Sequence, residues 1–181
     1  MNLAEALKKH HKAVKNYIDN DAPDVIGTLA VNHAQDSFVD EGYTDVQFQA
    51  WKEVKRRETG KGKPRDQTRP ILSDTGDLKD SIRYEKNGNL IQIGTDVKYA
   101  KTHNEGGTIT LPARSETFTR VRHSSGKKKG KFSGGTTSGK GFTFKESKIT
   151  MPQRQFIGKS KQLEEQIKEK IKRDLKRITK K

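Results

Sequence analysis

Apolar positions in the first 40 residues recur at helical spacing. Leu3, Leu7, His10, Val14, Tyr17 and Ile18 fall along one side of a 3.6-residue repeat and predict an amphipathic N-terminal helix. Asn20-Asp21-Ala22-Pro23 is expected to break it, because Pro23 suits the first turn of a second helix and Asp24 suits its positive end. Val25, Ile26, Leu29, Ala30, His33 and Ala34 form the apolar face of that second helix, and Phe38 closes it before Glu41-Gly42. Residues 48–57 carry the only tryptophan, Trp51, and the polar, Gly/Pro-punctuated stretch 58–70 reads as a loop.

Beyond residue 71 the period shortens. Leu72 to Ile82 reads as a short helix, with Ser73, Asp74 and Thr75 as candidate caps, Asp77 in the first turn, and Leu78 and Ile82 on one face. Arg83 to Lys86, the turn Asn87-Gly88-Asn89 and Leu90 to Ile93 carry a β-hairpin signal. Tyr99 to Asn104 predicts one helical turn ending at Gly106-Gly107, and Thr108 to Leu111 a further strand. From Pro112 to Thr150 the chain is basic and Gly/Ser-rich. Its centre, SSGKKKGKFSGGTTSGKG, holds too little apolar surface to order by itself. Its arms, Thr117 to Arg122 and Phe142 to Lys145, are strand-like, so an extended hairpin is expected, with Lys148 to Met151 returning to the sheet. Leu163, Ile167, Ile171, Leu175 and Ile178 form a narrow apolar stripe and predict a final helix over 160–179, which can pack on its own domain (the commonest use), lie along a neighbouring subunit or rest on an anionic surface. The sum is an α+β fold: N-terminal helices, a small antiparallel β-sheet with a long basic hairpin insertion, and a C-terminal amphipathic helix. With 181 residues it is read as one domain, 1–181, carrying the 112–150 arm.

Charge sharpens this picture through its location. Residues 1–111 hold 17 Lys/Arg and 17 Asp/Glu, residues 112–150 hold 10 and 2, and residues 151–181 hold 11 and 4. The whole excess of +15 therefore lies in the last 70 residues. A basic half implies a polyanionic partner, namely nucleic acid, an acidic protein face or a membrane surface, or else a solvated loop and helix face. The chain has no cysteine, which excludes disulfides and thiolate metal sites and fits a reducing compartment. No apolar run approaches the roughly 20 residues that span a bilayer. The N-terminal stretch has no uninterrupted apolar core, so no secretory signal is expected, and of the polyanionic partners the membrane is the one not expected.

The candidate chemistry is thin. Gly134 to Lys140 matches G-x-x-x-x-G-K, but Gly141 follows where a phosphate-binding loop needs Ser or Thr, and Phe142-Thr143-Phe144 looks extended rather than helical. Asp74-Thr75-Gly76 matches the aspartic-protease triplet, yet it precedes a helix whose Asp77 and Asp80 would repel a paired ionised carboxylate. The histidines, His10, His11, His33, His103 and His123, show no H-E-x-x-H arrangement. His103 is the one of interest, either as a metal ligand or general base or as a buried histidine holding a turn. The expectation is no enzyme, no catalytic residue, no metal and no cofactor. Lysines of the arm, Lys127, Lys128, Lys129, Lys131 and Lys140, can meet phosphates without reading sequence.

Three blocks carry a resemblance. Leu72-x-x-Thr75-Gly76-x-Leu78-x-x-Ser81-Ile82 is similar to the "L-x-x-(S/T)-G-x-L-x-x-S-I" core of the phage virion-morphogenesis family, the tail-completion proteins of Mu-like phages. Ile93-Gly94-Thr95-x-Val97-x-Tyr99-Ala100-x-x-His103-x-x-Gly106-Gly107 resembles its second block. Arg154-Gln155-Phe156-Ile157-Gly158 resembles its terminal "R-P-F-(L/I)-G", with Gln155 in place of proline. The likeness runs from Ala22 to Gly158 and leaves out the N-terminal helix and the 112–150 insertion. Within these blocks the glycines at 76, 94, 106 and 107 are expected to supply turns and close approach, while Leu78, Ile82, Ile91, Ile93, Tyr99, Phe156 and Ile157 supply core. Thr75, His103 and Arg154 are further structural or interface candidates. The resemblance implies a virion protein that completes the tail or joins it to the head by protein–protein binding. It implies a homo-oligomeric ring, phage tail or neck proteins as partners, non-specific DNA contact by the arm, and assembly in the host cytoplasm. The rivals are a basic nucleic-acid-binding protein without sequence specificity and a hydrolase using His103.

Overall fold

A computed structural model of the chain describes residues 3–59, 64–88, 90–117, 123–131 and 141–180. The chain divides into two compact units, Met1–Gly106 with Pro152–Lys181, and Gly107–Met151.

The first unit opens with α1 (Leu3–Asn16), a π-helical turn (Tyr17–Asp21) and α2 (Ala22–Asp40). The expected break at Asn20–Pro23 does not occur, because the chain stays helical throughout. The Ala22 N–H reaches back to the Tyr17 carbonyl. A proline ring collides with the carbonyl four residues earlier in an α-helix, and the wider turn relieves that collision. Ala30 and Ala34 of the predicted α2 face are buried, whereas Leu7 and Ile18 of the N-terminal stripe stay exposed. Glu41 takes the left-handed cap position (φ 54°) that glycine usually fills. Its carboxylate makes a bidentate pair with Arg57 (2.8 and 2.6 Å) and accepts the Ile71 N–H (2.8 Å).

Strands β1 (Gly42–Thr44) and β2 (Phe48–Ala50) pair antiparallel, and three residues each is too short for an alternation to be read. Helix α3 (Lys55–Glu58) leads into the stretch expected to be loop, within which stands α4 (Pro64–Thr68), and residues 60–63 lie outside the described residues. The helix predicted over 72–82 shrinks to α5 (Asp77–Asp80), because Leu72 (φ 58°) and Gly76 (φ 95°), the residue directly before α5, take left-handed angles that a right-handed helix cannot include. The hairpin forms as predicted: β3 (Arg83–Asn87) pairs with β4 (Leu90–Gly94), with Asn87 opposite Leu90. The predicted turn at 99–104 is α6 (Ala100–Glu105). The last helix, α7 (Lys161–Thr179), is capped by Ser160, whose hydroxyl accepts from the Leu163 N–H (3.1 Å) and donates to the Thr44 carbonyl (2.8 Å). One core holds the unit together: Ala34, Phe38, Trp51, Ile71, Leu78, Ile82, Ala100 and Phe156.

The second unit is the insertion with its flanking strands. Strand β5 (Gly107–Leu111) pairs with the strand Ser147–Met151, so residues 148–151 return to β5 in a ladder of their own. Farther out, β6 (Arg114–Thr117) pairs with β7 (Gly141–Phe144), which makes Ser147–Met151 strand β8. The expected extended hairpin is present, with its described outer rungs nearer the base than 117–122. Residues 118–122 and 132–140 lie outside the described residues. The centre, expected to lack order, contains a bonded turn: the His123 N–H donates to Lys131 O (3.0 Å) and the Gly130 N–H to His123 O (2.9 Å). Helices combined with antiparallel two-stranded ladders make the fold α+β.

Candidate functional site

The three sequence blocks meet in the first unit. At block one, Gly76 (φ 95°) starts α5, the Thr75 hydroxyl accepts the Asp77 N–H (3.4 Å), and Leu78 and Ile82 enter the core. Block one ties to block two through the Ser81 and Thr95 hydroxyls, 2.6 Å apart. Block two ties to block three through α6. The Arg154 N–H donates to the His103 carbonyl (2.7 Å), and the Asn104 side-chain oxygen accepts the N–H groups of both Phe156 and Ile157 (2.9 Å each). Phe156 is thereby set into the core, its ring 5.0 Å from Phe38. Trp51 closes the other side, donating from Nε1 to the Gln155 carbonyl (2.8 Å) while its indole stands edge-on to Phe38.

Arg154 is buried, and its guanidinium donates to the Lys52 carbonyl (3.0 Å). Burial holds its pKa below the ordinary arginine value, reinforced by Arg56 and opposed by Glu53. His103 is likewise pushed down, first by burial and then by Arg154. Through its main-chain carbonyl, which accepts from the Arg154 N–H, His103 ties α6 to the third block. Tyr99 stacks edge-on against His103 (5.8 Å) but is 50% exposed, so it does not supply core as expected: the last residue before α6 points its ring outward. Gly94 also departs from expectation. It has no positive φ, and a Cβ there would meet open space, so neither a turn nor close approach explains it. Gly106 and Gly107 (φ 74° and 148°) do take the positive angles that favour glycine, and they end α6.

Asp74 of the protease-like triplet is engaged in an ion pair with Arg69. The residues of the G-x-x-x-x-G-K match, Lys140 among them, lie outside the described residues. Lys127, Lys128, Lys129 and Lys131 are exposed at the arm's turn. Among the described residues no group of three His, Cys, Asp or Glu gathers to hold a metal, and no helix is long and apolar enough to cross a membrane. The residue that sequence reasoning missed is Asn104. Its only signal is an amide next to His103 at the end of a helical turn, and its two bonds come from residues more than 50 positions away.

Comparison with curated proteins and with solved structures finds no match. A family model does match, that of the phage virion morphogenesis family, over residues 12–176. That span includes all three blocks and the clasp they build, as well as the arm between them, and on this ground the chain belongs to the phage virion morphogenesis family.

Proposed function

We propose that, within virion assembly, this protein completes the tail or joins it to the head, working by binding rather than catalysis. On this reading it forms a ring of identical subunits that contacts tail or neck proteins. It assembles in the host cytoplasm, and its lysine-rich arm touches acidic partner surfaces or DNA without reading sequence. The observation that carries the reading is how the family blocks are spent. Leu78, Ile82, His103, Asn104, Arg154 and Phe156 close on one another and on the interior. What the molecule offers outward is a basic arm and uncovered apolar side chains, which are the means of association rather than of bond chemistry.

A phage or prophage lacking the gene for this chain tests it. Lysates are expected to contain heads and tails that fail to join, seen by electron microscopy, with joined particles restored by supplying the chain in trans. Joined, infectious particles at undiminished titre without it would overturn the proposal. Tight, steeply salt-dependent duplex binding with no particle defect would favour the nucleic-acid reading instead.

A further inference from the structure

We propose that the Gly107–Met151 arm of one copy docks on an acid-rimmed apolar patch at the C-terminal end of α2 in the next copy, an inference that rests on the assembly role above. The patch lies in the first unit. Val39, Val46 and Phe48 are 67%, 64% and 51% exposed, and the Phe48 ring lies over Gly42, where a Cβ would overlap it. Asp36 and Asp40 flank Val39 along the end of α2 and, with His33, Ser37, Gly42 and Gln162, line a polar hollow of about 120 Å³, which Gly42 joins to the Phe48 ring. A helix C-terminus carries partial negative charge and is stabilised by cations. Here the last turn of α2 has no basic residue, and among the described residues neither aspartate has an ion pair. The chain thus keeps two carboxylates where its own helix disfavours them, near apolar side chains that are more than half exposed.

The arm has the opposite character. Its residues 107–151 hold 10 Lys/Arg against 2 Asp/Glu, with Lys127, Lys128, Lys129 and Lys131 exposed at the described turn. Ile109 and Ile149 face each other across the β5–β8 ladder, and with Leu111 and Phe144 they are 41–45% exposed. A two-stranded hairpin is marginal in water unless it gains a surface to lie on. Basic and apolar on the arm matches acidic and apolar on the patch. Because these are two different surfaces of one chain, the contact is head-to-tail, the kind that generates a ring when its rotation closes.

The natural chain has no cysteine, so single cysteines can report the contact. Full-length Gln47→Cys, beside Val46 and Phe48, is mixed with full-length, tagged Ser125→Cys, and a short bismaleimide is added. The expected result is a mixed cross-linked dimer in clear excess over either self-product. Adding D36K/D40K to the Gln47→Cys copy should lower the mixed product at least tenfold. K127D/K128D/K129D in the Ser125→Cys copy should then restore much of it. Lysines suit a helix C-terminus, so D36K/D40K is expected to melt no lower than its parent, which separates lost docking from lost folding. No mixed excess with native charges, or a mixed product indifferent to charge reversal, would overturn the contact. If the contact fails while gene deletion still blocks joining, the assembly role stands and only this docking falls.

Discussion

At the scale of single residues, the decisive group is the Asn104 amide. One side-chain oxygen accepts two main-chain N–H groups in a part-buried place, and so fixes Phe156 and Ile157 on the core. Asn104→Ala leaves both donors without that acceptor and is expected to cost about 2–4 kcal/mol by urea unfolding, whereas Asn104→Asp, which keeps the acceptor, should cost clearly less. Titration acts at the same place. His33 and His103 both sit below the ordinary histidine value, burial being the first cause in each. Below about pH 6.5 the unfolded chain therefore binds protons that the folded chain refuses. Their contribution is present above that pH and is lost as pH falls through the depressed folded values. Melting temperature is expected to drop between pH 7 and 5, and His103→Gln to flatten part of that slope. A second decline should follow in the carboxylate range. There Glu41, held down first by Arg57, and Asp174, held down first by Lys170, must take protons.

Among elements, α2 approaches β3 closely. Gly27 is buried in α2, and a Cβ there would overlap the ring of Tyr84, whose hydroxyl is anchored on Asp24 of the same helix (2.8 Å). In an open helix Gly→Ala gains about 1 kcal/mol. Here overpacking against an anchored ring costs about 1–3 kcal/mol and outweighs the gain. Gly27→Ala is accordingly expected to lower the melting temperature, and Gly27→Ala with Tyr84→Ala to melt above Tyr84→Ala alone. A polar clamp joins the two ends of the described chain: the Tyr17 hydroxyl donates to Asp174 of α7 (3.0 Å), and Lys170 pairs with the same carboxylate (2.8 Å). Burial, then the bond to Asp174, pushes the Tyr17 pKa up to about 12. This clamp explains a buried charge among the apolar positions of α7.

On the scale of the whole molecule, the family blocks and the core lie in one unit and the insertion forms the other. Gly107 and Met151 are directly opposite across their ladder, so a short Gly/Ser linker can replace residues 108–150 without stretching the chain. The first unit keeps every member of its hydrophobic cluster in such a variant. Its melting temperature is expected to stay within about 4 °C of the parent, the shift of roughly 1 kcal/mol for a chain of this size, as read by circular dichroism. The same variant should fail to support joining of heads and tails if the arm makes the assembly contact.

The sequence alone determined what depends on neighbours a few positions apart. The Asn87-Gly88-Asn89 turn set the β3–β4 hairpin, the stripe from Leu163 to Ile178 set α7, and the run of lysines set the arm's charge. Those signals are local, since turn chemistry and helical period act within one or two turns of chain. Contacts across the fold decided the rest. Pro23 gave a widened turn instead of a break, Leu72 and Gly76 took left-handed angles that confined α5 to Asp77–Asp80, and Tyr99 turned outward. Asn104 and Arg154 became a clasp because they met partners 52 and 102 positions away. Such choices rest on which distant groups compete for the same space and the same hydrogen bonds, and that competition exists only once the chain has folded.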